Sequence, residues 1–156
     1  MYPNGRTALT GIYNINDGYY EMSLYNLVKR RFDIADGSRV SWAGDPFDAQ
    51  LDVRAIYNVE TSASSLMSST LTAVDEGSAD KYRQELPFLV YLNVDGDLMA
   101  PKISFGLDMP EDERGAIGGN IYNRVQQLNS QEQELNKQVF SLLVLNVYLI
   151  AYLLLN

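Results

Sequence analysis

Four carboxylates close together in sequence, Asp36, Asp45, Asp48 and Asp52, carry the first hint of chemistry, and the single tryptophan, Trp42, sits among them. Carboxylates at that density could hold calcium. The calcium loop, however, needs Asp-x-Asp-x-Asp-Gly with a distal Glu, and this spacing lacks it. The four read as turn-forming and solvated-face residues, with Asp45, before Pro46, capping its own turn. Trp42 could stack on a ligand, but its place on the apolar parity of a strand assigns it to the core. The 11 tyrosines invite a carbohydrate-binding reading, yet Tyr13, Tyr19, Tyr20 and Tyr25 lie in β-like runs where tyrosine is favoured in any case. The chain contains no histidine and no cysteine. Thiolate nucleophiles, disulfides and Cys/His zinc sites are therefore excluded, together with the commonest general base at neutral pH. No enzyme activity, cofactor or metal is expected.

The 156 residues are one domain's worth, and 46% apolar with 21% charged content suits a folded chain with a real core. Twelve basic residues against 20 acidic leave a net charge of −8. Nucleic acid and anionic membrane surfaces are poor partners, because neutralising phosphate takes clustered Lys and Arg. The opening MYPNGRTALTGIYN has no basic segment followed by an apolar one, so it does not read as a secretion signal. Either the protein stays in the cytoplasm, or it is the end of a longer chain whose targeting segment lies upstream. Lack of cysteine suits cytosol and periplasm alike.

The elements that must position these residues are strands first. From Arg31 to Val59 the apolar positions keep one parity within each segment: Phe32 and Ile34, then Val40 and Trp42, then Leu51, Val53, Ala55 and Tyr57. That predicts a sheet with one dry face. Asp36-Gly37 predicts a tight hairpin, and Gly44-Asp45-Pro46 predicts a break after which the chain re-enters the sheet. Upstream, Asp17-Gly18 marks another hairpin, with Tyr20, Met22 and Leu24 on the dry parity after it; the strand before it is ambiguous. Downstream, Phe88, Val90, Leu92 and Val94 precede a third Asp-Gly pair, Asp95-Gly96, and Ile103, Phe105 and Leu107 follow. The three pairs suggest either a repeating meander or simply the favoured turn of any antiparallel protein.

Between these blocks, 58–86 is rich in Ser, Thr and Ala and reads as an irregular excursion, with a short helix near Ala79–Glu85. After Met109-Pro110 the period changes. Pro110 with Glu111, Asp112 and Glu113 marks a helix start, and Ile117, Ile121, Val125 and Leu128 follow at helical spacing, weakened by Gly118-Gly119. Ser130 with Gln133 forms a capping-box candidate for a second helix carrying Leu135, Val139 and Leu142. The tail from Val139 to Leu155 is almost wholly apolar. It fits a buried helix, a last strand on the sheet, or a membrane-inserted or partner-bound tail. The expected organisation is thus a mainly β antiparallel sheet over 1–109, followed by two helices within 110–156.

The run from Gly37 to Pro46, GSRVSWAGDP, followed by Leu51-Asp52-Val53-Arg54-Ala55-Ile56-Tyr57, resembles the carboxy-terminal domain of TamB, the translocation and assembly module subunit, in its Bacteroidetes-type versions. The resemblance continues through Asp17-Gly18-Tyr19-Tyr20, through Pro101-Lys102-Ile103-Ser104-Phe105 and from Leu135 to Leu143, and so spans residues 5 to about 146. It implies a curved sheet folded into a greasy trough, the β-taco. It further implies a periplasmic, cell-envelope location as part of an inner-membrane-anchored longer chain. The implied partners are phospholipid, the outer-membrane barrel protein TamA and the upstream part of the same chain. Met1 falls close before the family domain, with no anchor and none of the upstream repeats, so a fragment or truncated copy is expected; the end from Val147 to Asn156 departs from the polar or short ending of the family.

Taken with the parity above, the resemblance assigns sixteen positions to a lipid trough: Tyr20, Met22, Leu24, Phe32, Ile34, Val40, Trp42, Leu51, Val53, Ala55, Phe88, Val90, Leu92, Ile103, Phe105 and Leu107. The expected function is to shield acyl chains on the way to the outer membrane and to support outer-membrane protein assembly. The alternative is a non-catalytic interaction domain whose helices seal the dry face into a closed core.

Overall fold

The computed structural model describes residues 5–24, 26, 28–67 and 81–155, with the backbone alone for Leu24, Val28, Ser65 and residues 145–155. These residues form a 7-stranded antiparallel sheet, curved and unclosed, followed by two helices. The strands are β1 (Leu9–Ile15), β2 (Tyr19–Leu24), β3 (Val28–Ile34), β4 (Ser38–Gly44), β5 (Gln50–Ser62), β6 (Glu85–Asp97) and β7 (Ala100–Asp108). A single helical turn, α1 (Ser64–Met67), follows β5, and α2 (Asn120–Asn129) and α3 (Glu132–Leu155) end the chain.

The longest ladder joins β5 to β6 from Gln50↔Asp97 to Ser62↔Glu85. On one side β7 extends it, from Leu89↔Asp108 to Asp97↔Ala100. On the other side β5 takes two partners in succession, β4 at Gln50 to Asp52 and β3 at Ala55 and Ile56. Outside these, β1 lies along β4 and β2 along β3.

That pairing corrects the predicted turns. Asp17-Gly18 and Asp36-Gly37 do not close hairpins; they sit opposite each other in one long hairpin, β1 and β2 forming one arm and β3 and β4 the other. Asn26, with φ 57°, lies at its tip. The pairing steps from Ile15↔Ser38 to Tyr19↔Asp33, so residues 16–18 face 34–37 and one arm carries an extra residue. This is a bulge, and Gly37, at φ 87°, supplies the left-handed backbone it needs. An Asp-Gly pair offers positive φ to a turn and to a bulge alike, and the distant strand β5 decides between them. The extra residue costs ladder hydrogen bonds, and Ser38 restores them. Its buried hydroxyl accepts from the Arg54 N–H (3.1 Å) and donates to the Arg54 carbonyl (3.2 Å), which also accepts from the Ala35 N–H at 2.8 Å. The third pair, Asp95-Gly96, lies inside β6, and Leu98-Met99 make the turn instead, since Asp97 pairs with Ala100.

The break after Gly44 is as expected. Asp45 caps it, its Oδ1 accepting from the Phe47 N–H at 3.0 Å, and β5 enters at Gln50. The presumed irregular segment is shorter than its composition implies, because Asn58 to Ser62 pair with Leu89 to Glu85. Here register with an apolar partner strand overrides a Ser/Thr-rich composition. Ser62 and Ser64 hydroxyls both donate to the Tyr82 carbonyl, at 2.8 and 3.1 Å, tying the two ends together. Of the helix expected near Ala79–Glu85, residues 79 and 80 lie outside the described residues; Lys81 is helical and Glu85 already begins β6.

The first C-terminal helix starts later than predicted. Two 3-10 turns, Glu111–Glu113 and Ala116–Gly119, precede it. Ile117, Gly118 and Gly119 are left-handed (φ 51°, 66° and 79°), which no right-handed helix accommodates, so α2 begins at Asn120. The predicted capping box is not formed: Ser130 donates its hydroxyl back to the Gln127 carbonyl at 2.7 Å and closes α2, while α3 starts at Glu132. The tail is helical to Leu155, which removes the last-strand reading. Among the described residues no helix is long and apolar enough to cross a membrane. The side chains of 145–155, on which the membrane-inserted tail depends, lie outside the described ones.

The core gathers where the helices meet the sheet. Phe32, Val59, Phe88, Val90 and Leu107 from the strands pack with Ile121, Val125 and Leu128 of α2 and with Leu135, Val139 and Leu142 of α3.

Candidate functional site

Ladder register determines which side chains share the inner face of the curve. Ile34 pairs with Ala55, Ala55 with Leu92 and Leu92 with Phe105, giving one row from β3 to β7, and Tyr20, paired with Phe32, joins the same face from β2. Val53, Val94 and Ile103 form the next row on one side, and Tyr57, Val90 and Leu107 the next on the other. Val40 pairs with Leu51, which brings Trp42 to the same face. The sixteen predicted positions therefore share a parity, although the side chain of Leu24 lies outside those described.

They do not share one environment. Phe32, Ala55, Phe88, Val90, Leu92 and Leu107 are buried. Met22, Ile34, Val53 and Phe105 are half-buried, and Tyr20 and Ile103 are exposed at 54% and 60%. These last six, with Ala55, Leu92 and Val94, line an open groove of about 320 Å³ whose walls are β2 and β7. Val94 lies outside the predicted set; the alternation of Phe88, Val90, Leu92 and Val94 is the signal that finds it. Val40, Trp42 and Leu51 stand at the far end of the face, half-buried and outside the core cluster. This corrects the assignment of Trp42 to the core. Its partner across the ladder is Gly11, which has no side chain to cover it, and its Nε1 donates to the Pro46 carbonyl at 3.0 Å.

One charged residue on the inner face escaped sequence reasoning. Arg30, opposite Met22, sends Nε to the carbonyl of Leu143 in α3 at 3.1 Å and lies 5.7 Å from the centroid of the Tyr57 ring. Tyr57 in turn meets Phe32, ring centroids 5.7 Å apart. Arg30 marks the boundary between the open groove and the helix-covered floor. In sequence it is one of two consecutive arginines; it shares the parity of Phe32 and Ile34, but only the fold shows what it meets.

The outer face is polar. Arg54 donates to Asn93 Oδ1 at 3.1 Å and lies 4.8 Å from the Tyr91 ring centroid. Tyr91 donates its phenol to Asp108 Oδ2 at 2.9 Å, and Arg114 approaches the same carboxylate at 3.3 Å. Burial, and then the bond to Asp108, raise the Tyr91 pKa above its ordinary value. Asp52 pairs with Arg39 at 3.2 Å in an exposed bridge, and Asp36 and Asp52 line a polar hollow beside Arg54 and Tyr91. Among the described residues no group of carboxylates could hold a metal ion. Asp45 and Asp48 lie in the turn after β4 and Asp36 and Asp52 on the exposed face, and the groove between β2 and β7 is a concave apolar feature of the inner face.

The sequence model of one family, described as TamB C-terminal domain, matches residues 1–151. No curated protein and no solved structure matches the chain.

Proposed function

Since the chain belongs to the TamB C-terminal domain family, whose members take part in the translocation and assembly module of the cell envelope and in outer-membrane biogenesis, we propose that it shields phospholipid acyl chains in its inner trough. In this reading the chain works in the periplasm as part of a longer protein. It hands lipid toward the outer membrane and supports outer-membrane protein assembly alongside TamA.

One observation carries the reading: the open groove of about 320 Å³ lined by Tyr20, Met22, Ile34, Val53, Ala55, Leu92, Val94, Ile103 and Phe105. In a chain with a net charge of −8, a concave apolar surface left to water calls for a reason, and such surfaces mark ligand sites. At about 25 cal/mol per Å², a few hundred Å² of acyl contact is worth roughly 5–10 kcal/mol before the cost of ordering the chain. The sign of the surface is right for hydrocarbon and wrong for a charged solute.

The test is organic extraction and mass spectrometry of the domain purified without detergent, alongside Val53→Asp, which puts a carboxylate into the groove lining. Stoichiometric phospholipid in the parent and none in the folded variant is the expected result. Equal lipid in a folded Val53→Asp protein would overturn the trough. A second reading rests on the burial of Phe32, Phe88, Val90 and Leu107 beneath the helices, which makes a closed interaction domain. Absence of lipid from both proteins selects it.

A further inference from the structure

We propose that α3 is a displaceable plug, seated in the trough where a bound acyl chain would continue from the open groove, and that a chain entering the groove lifts it. The inference rests on the acyl-binding reading above and adds a moving part to it.

Continuity of the floor is the first observation. On β5 the inner face runs from Val53 and Ala55 in the groove to Tyr57 and Val59 under the helices, and on β6 from Val94 and Leu92 to Val90 and Phe88. Apart from the phenol of Tyr57, no polar side chain interrupts either row. Met22, Val94 and Phe105 line the groove and at the same time pack against the core cluster. What ends the groove is therefore the helix laid across the trough, since α3 packs on β3, β5 and β7.

The second observation is the difference in how the two helices are fastened. Asn129 holds α2 to β7 by a reciprocal pair, accepting from the Leu107 N–H at 2.9 Å and donating to the Leu107 carbonyl at 2.8 Å, and Arg124 Nε donates to the Leu66 carbonyl at 3.0 Å. By contrast, α3 rests on the apolar stripe Leu135, Val139, Leu142 and Leu143, with the Arg30 bond to Leu143 as a polar tie. An apolar stripe can be exchanged for hydrocarbon with little penalty, whereas a reciprocal hydrogen-bonded pair cannot.

The third observation concerns satisfaction of buried polar atoms. Among the described residues, Arg30 Nη2 and Gln138 Oε1 are buried without a hydrogen-bond partner. One belongs to the sheet beside the α3 contact; the other is on α3, one turn before Leu142 and next to Val139. Buried polar groups are satisfied almost everywhere in folded proteins, and orphans call for a reason. Orphans at the base of a helix weaken its seat, as a part that must leave requires.

The experiment keeps the protein intact and uses a twelve-carbon lysophosphatidylcholine below its micelle-forming concentration. Equilibrium dialysis reads binding, and hydrogen exchange by mass spectrometry reads α3 in the same samples. The expected result is binding, with exchange over 139–144 accelerated tenfold or more and exchange in α2 unchanged. Because the chain has no cysteine, Arg30→Cys with Leu143→Cys joined by a reducible cross-linker locks the helix. Locking is expected to weaken binding at least tenfold, and reduction to restore it. A bound probe with α3 exchange unchanged, or equal affinity in the locked protein, overturns the plug and leaves the trough standing. No binding in any form, reduced or locked, overturns the trough and the plug with it.

Discussion

On the outer face, Tyr91 couples the sheet to the segment that leads into the helices, because the carboxylate it bonds, Asp108, also meets Arg114. Its raised pKa, from burial first and the Asp108 bond second, means that the folded protein holds the phenolic proton at a pH where the unfolded chain releases it. The stability Tyr91 supplies is complete below about pH 10 and is lost as pH rises through the folded-state value. Tyr91→Phe is therefore expected to be less stable by about 1 kcal/mol at pH 8, with the gap closing in alkali. Urea denaturation of both proteins from pH 8 upward checks it, and a gap that stays constant to high pH contradicts the assignment. Trp42 and Arg30 show the limit of residue-level reading. Parity placed Trp42 on the correct face, but burial depended on Gly11 across the ladder. Arg30 shares the parity of Phe32, but its bond to Leu143 on α3 has no local signal.

Among the elements, strands were the most legible, since alternation is the same whatever a strand pairs with. Connections were the least. Asp17-Gly18 and Asp36-Gly37 specify positive φ without saying whether the chain reverses or merely bulges, and the answer came from β5, which accepts β4 and then β3. The helix after Pro110 was readable in its spacing but not in its start, since three left-handed residues hold it back to Asn120. Asn129, at the end of α2, was unreadable because its role is to extend the edge of β7 with a side chain in place of a strand. Removing it by Asn129→Ala loses two hydrogen bonds and is expected to cost about 1–3 kcal/mol. Denaturant midpoints would show this, and a change within a few tenths would mean that α2 is held by its apolar face alone.

For the molecule as a whole, the inner face was visible in the sequence and its division was not. Which part the helices cover depends on contacts between residues far apart in the chain, to which periodicity is blind. The same architecture predicts a gradient of local stability. Both sides of β5 are paired and its whole length is matched by β6, whereas β1 has β4 on one side and is exposed along nearly all its length. Amides of β5 and β6 are expected to exchange only with global unfolding and those of β1 by local opening, many times faster; uniform protection across the sheet would refute this. The rims of the groove have a mechanical consequence. Between β2 and β7 lie the ladders β2 to β3, β3 to β5, β5 to β6 and β6 to β7, and among the described residues no strand pairing bridges rim to rim. The width of the opening is the sum of small twists at each ladder, so it can change without a hydrogen bond breaking. On the proposed acyl-binding reading, a vessel built this way is compliant: it yields to the girth of its contents.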